Sequence, residues 1–329
     1  MSRTQIDSSL VPAAATASAN ATIGLNNLKE NFVDNGGMEV WQRGISFVNP
    51  SASAYTSDRW QMNHNGIPVL TVTKETTITD GSPSSFKWNM TGVGGGTVFR
   101  MRSTIEAASL AGRTVTVSAR VRVDSGGGGY VFIDLNDVNG QTPFVPANAT
   151  TLSGAATWET IYVTRTLGSN VTNLNVEFNF NNVAGVCYID NVMGVIGSTP
   201  VSFVPDVPQV ELARCQRYFW RVGQINGIPE VGTVVGLGHA TSTTSAYGYI
   251  YPQVTMRIAP SVTFVSPTLM QLHNAAGGNI TTSAVTATYT DPRVVVWTAT
   301  VGSGLVAGNV TALETQNASA APIDISADF

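Results

Sequence analysis

Residues 114–123, TVTVSARVRV, alternate without a break. Val115, Val117, Ala119, Val121 and Val123 share one side, and Thr114, Thr116, Ser118, Arg120 and Arg122 share the other. A period of two predicts a strand with one face in a core and one face outside. Gly112 punctuates the chain before it and Gly126–Gly129 after it. YVFIDL, from Tyr130, predicts the next strand. NLNVEFNF (173–180) predicts another, with Leu174, Val176, Phe178 and Phe180 inward, and VCYIDNV (186–192) closes the series. Short strands with no helix between them predict an antiparallel sandwich or jelly roll.

The pattern then breaks. Gly197, Pro200, Pro205 and Pro208 mark a boundary. VELARCQRYFWR (210–221) predicts a helix or helical turn, with Leu212, Cys215 and Phe219 on one stripe. YGYIYPQVTM, SVTFVS, AVTATYT, RVVVWTATV and IDISADF follow as strands. The expected fold is all-β: an N-terminal arm (1–31), a jelly-roll β-sandwich (32–200), a linker with a short helix (201–221) and a smaller C-terminal β-sandwich domain (222–329). Residues 1–30 are rich in Ala, Ser and Thr and hold no aromatic residue. Such a segment buries too little surface to offset its ordering entropy, so it is expected to be a flexible arm or a helix that orders against a partner.

Composition narrows the function classes. Charged residues are 12% of the chain, about half of a usual share near 25%. The net charge of −4 and the pI near 5.4 disfavour a general nucleic-acid binder, which needs a basic footprint. No apolar run is long enough for a membrane helix, so no membrane insertion is expected. The first twenty residues lack the apolar stretch of a secretory signal, and the protein is expected to fold in the cytoplasm where it is made. Cys187 and Cys215 are too few for a disulfide framework, and Cys187 reads as a core residue.

Reactive chemistry is sparse. His64, His239 and His273 form no zinc-binding spacing, and neither a GxSxG elbow nor a P-loop is present. GVGGGT (92–97) lacks the Lys-Ser/Thr that would follow a phosphate cradle and reads as a hairpin turn. Asp58, Glu75, Asp134, Asp137 and Glu159 are scattered, and no catalytic pair is legible among them. The chain is therefore expected not to be an enzyme. Trp41, Trp60, Trp88 and Trp158 read as core, Asp58-Arg59-Trp60 as a packed ion pair beside a buried indole, and Arg120 and Arg122 as solvated or paired charges. Tyr247, Tyr249 and Tyr251 share one strand face at period two, opposite Gly248 and Ile250. A tyrosine row suits a core, a subunit interface or a glycan contact.

Two resemblances rest on quoted motifs. LAGRTVTVSARVRVDSG, ATWETIYVTRTL and NLNVEFNFN…GVCYIDNV resemble the jelly-roll carbohydrate-binding modules found beside glycoside hydrolases. Their opening Asn-Gly-x-Phe-Glu step corresponds to Asn35-Gly36-Gly37-Met38-Glu39, and their closing step to Ile189-Asp190-Asn191-Val192. NGGMEVWQRGISF…YTSDRW, then ELARCQRYFWR, MRIAP and a final ISADF, is similar to a group of tailed-bacteriophage virion proteins, including tail fibres. The first resemblance implies that DNGGMEVWQRGISF (34–47) opens the jelly roll as its first strand, with Met38 and Val40 facing one sheet and Glu39 the other way. It also implies a possible structural calcium held by Glu39 and Asp190, hard oxygen ligands that suit the ion. The second implies a virion protein assembled in the host cytoplasm, docked to other virion proteins through residues 1–31. It further implies a homotrimer and a possible host glycan for attachment. A free carbohydrate-binding module or a glycan depolymerase subunit is the alternative.

Overall fold

The computed structural model describes residues 30–66, 68–95, 98–125, 130–137, 152, 156–181, 185–225, 228–274, 278–316 and 321–329. The expected arm lies outside them apart from residues 30 and 31, as does the end of the 92–97 turn.

The alternating segments pair as two antiparallel sheets. One holds β1 (Ser46–Val48), β3 (Val69–Glu75), β4 (Ser85–Gly92), β6 (Thr114–Ser125), β8 (Trp158–Thr166) and β10 (Gly185–Ile196), in the order β1-β3-β4-β10-β6-β8. The other holds β2 (Gln61–His64), β5 (Phe99–Glu106), β7 (Tyr130–Asp137) and β9 (Asn173–Asn181), in the order β2-β5-β9-β7. The last strand of the module thus inserts between β4 and β6. Inward side chains fill the space between the sheets, as alternation dictates. Val115, Val117, Ala119, Val121 and Val123 are all buried, as are Leu174, Val176, Phe178 and Phe180. Trp88 stacks on Phe180 with ring centroids 4.2 Å apart and ties the two sheets together. Trp41 and Trp60 are also core residues, whereas Trp158 is only half-buried, edge-on to Tyr188.

The opening stretch is not a strand. Residues 34–43 form turns, with Asn35 and Met38 at φ 54° and 52°, and the first strand begins at Ser46. Asn35 organises the turn: its Oδ1 accepts from the Glu39 and Val40 N–H groups, both at 3.0 Å, and its Nδ2 donates to Val40 O and Asp58 O. These bonds satisfy the backbone locally, so a ladder is not needed. Met38 and Trp41 point into the core, while Glu39 and Val40 are half-buried. Gly36 is required where the turn meets β10: a Cβ there would lie 2.2 Å from Val192 O.

Helix α1 (Pro208–Gln216) follows the proline-marked passage. It stops before Phe219, which begins β11 (Phe219–Val222) instead of extending the helical stripe. The reason is pairing: β11 joins β21 (Ile323–Ser326), which also pairs with β16 (Ser261–Phe264). A short hairpin, β12 (Gln224–Ile225) and β13 (Ile228–Pro229), comes next. The rest is one sheet rolled shut, so here the expected second sandwich takes the form of a closed barrel. Its strands are β14 (Val234–Ala240), β15 (Ser245–Ile250), β17 (Met270–Asn274), β18 (Asn279–Asp291), β19 (Val294–Val301) and β20 (Val310–Thr315). Around the barrel they run β14-β15-β19-β18-β17-β20. Trp297 is fully buried inside it. A Cβ on Gly248 would lie 2.5 Å from the Trp297 ring, and one on Gly236 would lie 2.6 Å from its Nε1. Those two glycines leave the room that the indole occupies. Among the described residues, no helix is long and apolar enough to cross a membrane.

The two modules are clasped. Arg43 forms an ion pair with Asp328, and its guanidinium lies 3.4 Å from the centroid of the Phe219 ring. Arg59 sits 3.4 Å over Tyr218. Gln42 Nε2 donates to Phe219 O at 2.7 Å, and Arg221 Nη1 donates to Arg43 O at 2.8 Å.

Candidate functional site

The four-stranded sheet of the jelly roll carries polar residues at nearly every position that points away from the core. On β9 these are Asn175, Glu177 and Asn179, which alternate with its inward Val176 and Phe178. Strand register extends them into rows. Asn63, Arg100, Asn179 and Phe132 are neighbours across one row, and Gln61, Arg102, Glu177 and Asp134 across the next. Thr104, Asn175 and Asn136 make a third.

Side-chain bonds cross these rows. Arg100 Nη1 reaches Glu177 Oε2 at 3.1 Å, Arg102 Nη2 donates to Gln61 Oε1 at 2.5 Å, and Thr104 Oγ1 donates to Asn175 Oδ1 at 2.8 Å. The face is buried: Asp134 and Glu177 are 2% exposed, and Asn175 and Asn179 are 8% exposed. Burial pushes the Glu177 carboxyl above its ordinary range, Arg100 and Arg102 pull it back, and Asp134 adds to the rise. Asn179 Nδ2, Arg100 Nε and Arg102 Nε are buried with no hydrogen-bond partner among the described residues. Each such donor costs about 1–3 kcal/mol while it lacks an acceptor. The arrangement therefore offers unspent N–H groups beside carboxylates that accept. A ligand rich in hydroxyls supplies both halves.

This face was legible in NLNVEFNF, where Asn, Asn, Glu and Asn occupy the outward positions. Reading only the inward Leu, Val and Phe missed it.

The residues singled out from sequence lie elsewhere. Tyr247 and Tyr249 point outward from β15, and Tyr251 follows just beyond it. Tyr249 is 37% and Tyr251 67% exposed, so the row is neither core nor sealed within this chain. The rings contact in sequence, with centroids 5.3 Å apart for Tyr247–Tyr249 and 6.2 Å for Tyr249–Tyr251, and His239 stands edge-on to Tyr247. Arg120 is held by Asp80 at 2.6 Å and Arg122 by Asp124 at 2.5 Å. Asp58 is buried beside Trp60, as expected, but its ionic partner is Arg43 at 3.4 Å; Arg59 reaches Asp34.

The Glu39 and Asp190 carboxylates are each engaged by other groups of the protein. The Asp190 carboxylate already accepts from Ser82 Oγ (2.5 and 2.6 Å), Asp80 N–H (2.9 Å) and Asn191 N–H (2.7 Å). Its acidic neighbour Asp80 is neutralised by Arg120. The charge that acts on Glu39 is Lys74, which pulls its carboxyl down against the larger upward push of burial. Among the described residues, no three His, Cys, Asp or Glu side chains converge on a common point where a metal ion would sit.

No family model matches the sequence, and no curated protein matches it. Solved structures match in part. The enzymatically active domain of tailspike protein 4 from bacteriophage CBA120 is 18% identical with a TM-score of 0.37, over 51% of this chain and 21% of that one. A CBM4 structure is 20% identical with a TM-score of 0.36, over 50% of this chain and 99% of that one. A family 22 carbohydrate binding module from Clostridium thermocellum is 15% identical with a TM-score of 0.33, over 46% of this chain and 99% of that one. At these scores and identities, the likenesses assign no function to the chain.

Proposed function

We propose that this chain is a surface protein of a tailed-bacteriophage virion that contacts a host-surface glycan through the outward face of β2, β5, β9 and β7. The observation that carries the glycan reading is the polar face, in which Asn179, Arg100 and Arg102 hold buried donors without acceptors among the described residues. Sugar hydroxyls accept such bonds and donate others to Glu177. The virion reading is supported by the ordered motif set from Asn35 to Phe329. With it go attachment to other virion proteins through residues 1–31, assembly in the host cytoplasm and a homotrimer. The role is contact without bond cleavage.

The test is a glycan array probed with the full chain and with Asn179→Ala. Binding by the wild type and its loss in the variant, at unchanged melting temperature, is expected. Equal binding by both would remove the sheet face as the site. Release of reducing ends from a bound polysaccharide would overturn the non-enzymatic reading. A particle image that places the protein anywhere but on a virion would overturn the first half.

A further inference from the structure

A cleft of about 740 Å³ runs between the jelly roll's opening turn, helix α1 and the barrel. That volume falls in the usual range for small-molecule sites, roughly 300–1,000 Å³. None of its lining residues belongs to the sheet face above, and the lining comes from the opening turn, α1, β11, β12, β14 and the segment after β15.

Its chemistry is selective. Trp220, half-buried on β11, and Tyr251, at the exposed end of the tyrosine row, bring two aromatic rings to the lining. Tyr251 is kept in place by Tyr249, whose ring is inclined to it by only 23°. Rings that are apolar on the face and flanked by polar groups suit the C–H faces of a sugar.

Charge decides which sugar. Glu39, Glu211 and Glu230 line the cleft, and Arg221 is the one cation among the described lining residues. Arg221 is engaged: Nε and Nη2 pair with the Asp324 carboxylate at 2.6 and 2.7 Å, and Nη1 donates to Arg43 O and Gln224 Oε1. A carboxylate or phosphate on a ligand would meet Glu230 and the two partly buried acids Glu39 and Glu211 with no available cation among the described lining residues, so charge complementarity favours neutral sugars over uronic acids, sialic acids and phosphosugars. Hydroxyls meet no such penalty. Gln224 has given its oxygen to Arg221 and keeps its amide N–H groups to donate, Gln253 adds an exposed amide, and Glu230 accepts. The walls are preformed, because Gln42 and Arg221 bond across the modules on either side.

We infer that the cleft between the modules is a second ligand site, selective for a neutral oligosaccharide, with Trp220 and Tyr251 as ring platforms and Gln224, Gln253 and Glu230 as its polar contacts. It goes beyond the sheet-face reading and stands or falls separately.

Calorimetric titration of the full chain tests it, with a neutral galactose or glucose trisaccharide and the matching galacturonic or glucuronic acid trimer as probes. Neutral probe is expected to bind and the acid trimer to bind more weakly by on the order of tenfold. Tyr251→Ala is expected to weaken neutral binding about tenfold with an unchanged melting temperature, and Asn179→Ala to leave it unchanged. Neutral binding that survives Tyr251→Ala and Gln253→Ala but is lost in Asn179→Ala would overturn the cleft and leave the sheet face standing. Preference for the acid trimer, or no binding of either neutral trimer, would also overturn it.

Discussion

On β9 of the jelly roll, Glu177 points away from the core and is still only 2% exposed; on β14 of the barrel, Leu237 points away from the core and is 61% exposed. Both depart from the usual arrangement, in opposite directions. A buried carboxylate bears desolvation, which Arg100 offsets in part. An exposed leucine forgoes the gain of burial. The contrast continues across each sheet. Asn179 and Asp134 flank Glu177 in hidden rows, while Leu237 pairs with Tyr249, and Val296 pairs with both Tyr249 and Tyr289, along an open row on the barrel. The jelly roll withholds polar groups from water and the barrel presents apolar ones. The first arrangement suits a hydroxyl-rich ligand, and the second tolerates contact with no polar matching.

The two cores differ as well, and the largest effects test that. The jelly roll is held by a wide stacked pair, Trp88 on Phe180, between separate sheets. The barrel closes around one indole, with glycines cut away beside it. Trp88→Ala is expected to cost about 3–5 kcal/mol, the usual loss for a buried aromatic. Gly248→Val is expected to cost at least about 3 kcal/mol, at the upper end for overpacking, because its Cβ would meet Leu237 O at 2.3 Å and cannot be relieved by a rotamer change. Scanning calorimetry reads both. Two transitions, each shifted by one variant, would mark the modules as independent; a single transition moved by both would show that the Arg43–Asp328 clasp couples them.

The clasp region supplies the next effect. Burial raises the Glu211 carboxyl from 4.5 to about 7, against a downward pull from the Asn35 N–H that it accepts. Burial likewise raises Asp58 to about 6, against Arg43. For Glu211 the folded value exceeds the unfolded one, so its favourable contribution is complete below pH 4.5 and is lost as pH rises to about 7. Screened for partial exposure, the change is on the order of 2–3 kcal/mol. Glu211→Gln removes that slope and is expected to be more stable than the wild type at pH 8 and similar at pH 4. Denaturant melts at the two values measure it; a variant with the wild-type slope would exclude Glu211 as its source.

Much of this was legible before any coordinates. Period-two alternation located β6 and β9, β7 and β10 read as strands beside them, and Trp41, Trp60 and Trp88 read as core. What alternation cannot carry is a local exception held by distant groups. The opening turn depends on Asn35 bonding Asp58 and on Gly36 fitting against Val192, 156 residues later in the chain, and a strand was the natural reading without them. Barrel closure has a signal in Gly236, Gly238 and Gly248, but its meaning appears only when Trp297 is known to lie across from them. Tyr247 and Tyr249 point outward from β15 and Tyr251 lies just beyond it, and period alone does not say whether that face is inside. The polar rows are written in NLNVEFNF, at the parity opposite to its apolar Leu, Val and Phe. The cleft is invisible in sequence, since its walls come from residues near 40, 211, 221, 230 and 251.

A smaller effect sharpens the jelly-roll side. Glu177→Ala strips Arg100 of its partner and is expected to cost about 1–3 kcal/mol. Asn179→Leu removes a donor that already lacks an acceptor, so its cost is expected to stay under about 1 kcal/mol. Chemical denaturation of the two variants side by side decides the matter. Equal losses would mean that the Asn179 amide is bonded in the folded protein, and the ligand argument built on it would fail.

The smallest expected change lies on the barrel's outer row. Leu237→Thr and Tyr289→Thr remove side chains that are 61% and 58% exposed, while β-branched threonine keeps the strand preference. Each is expected to alter stability by no more than about 0.5 kcal/mol, as for surface positions in general. The contrast with β9 makes the test informative despite its size. Glu177 is costly to change because it is buried and paired, and the apolar positions of the barrel's outer row are cheap because they are exposed. A loss above about 1 kcal/mol at Leu237, read in the same denaturant series as Glu177→Ala, would mean that this leucine packs against something in solution. The barrel would then be hiding its row as the jelly roll does.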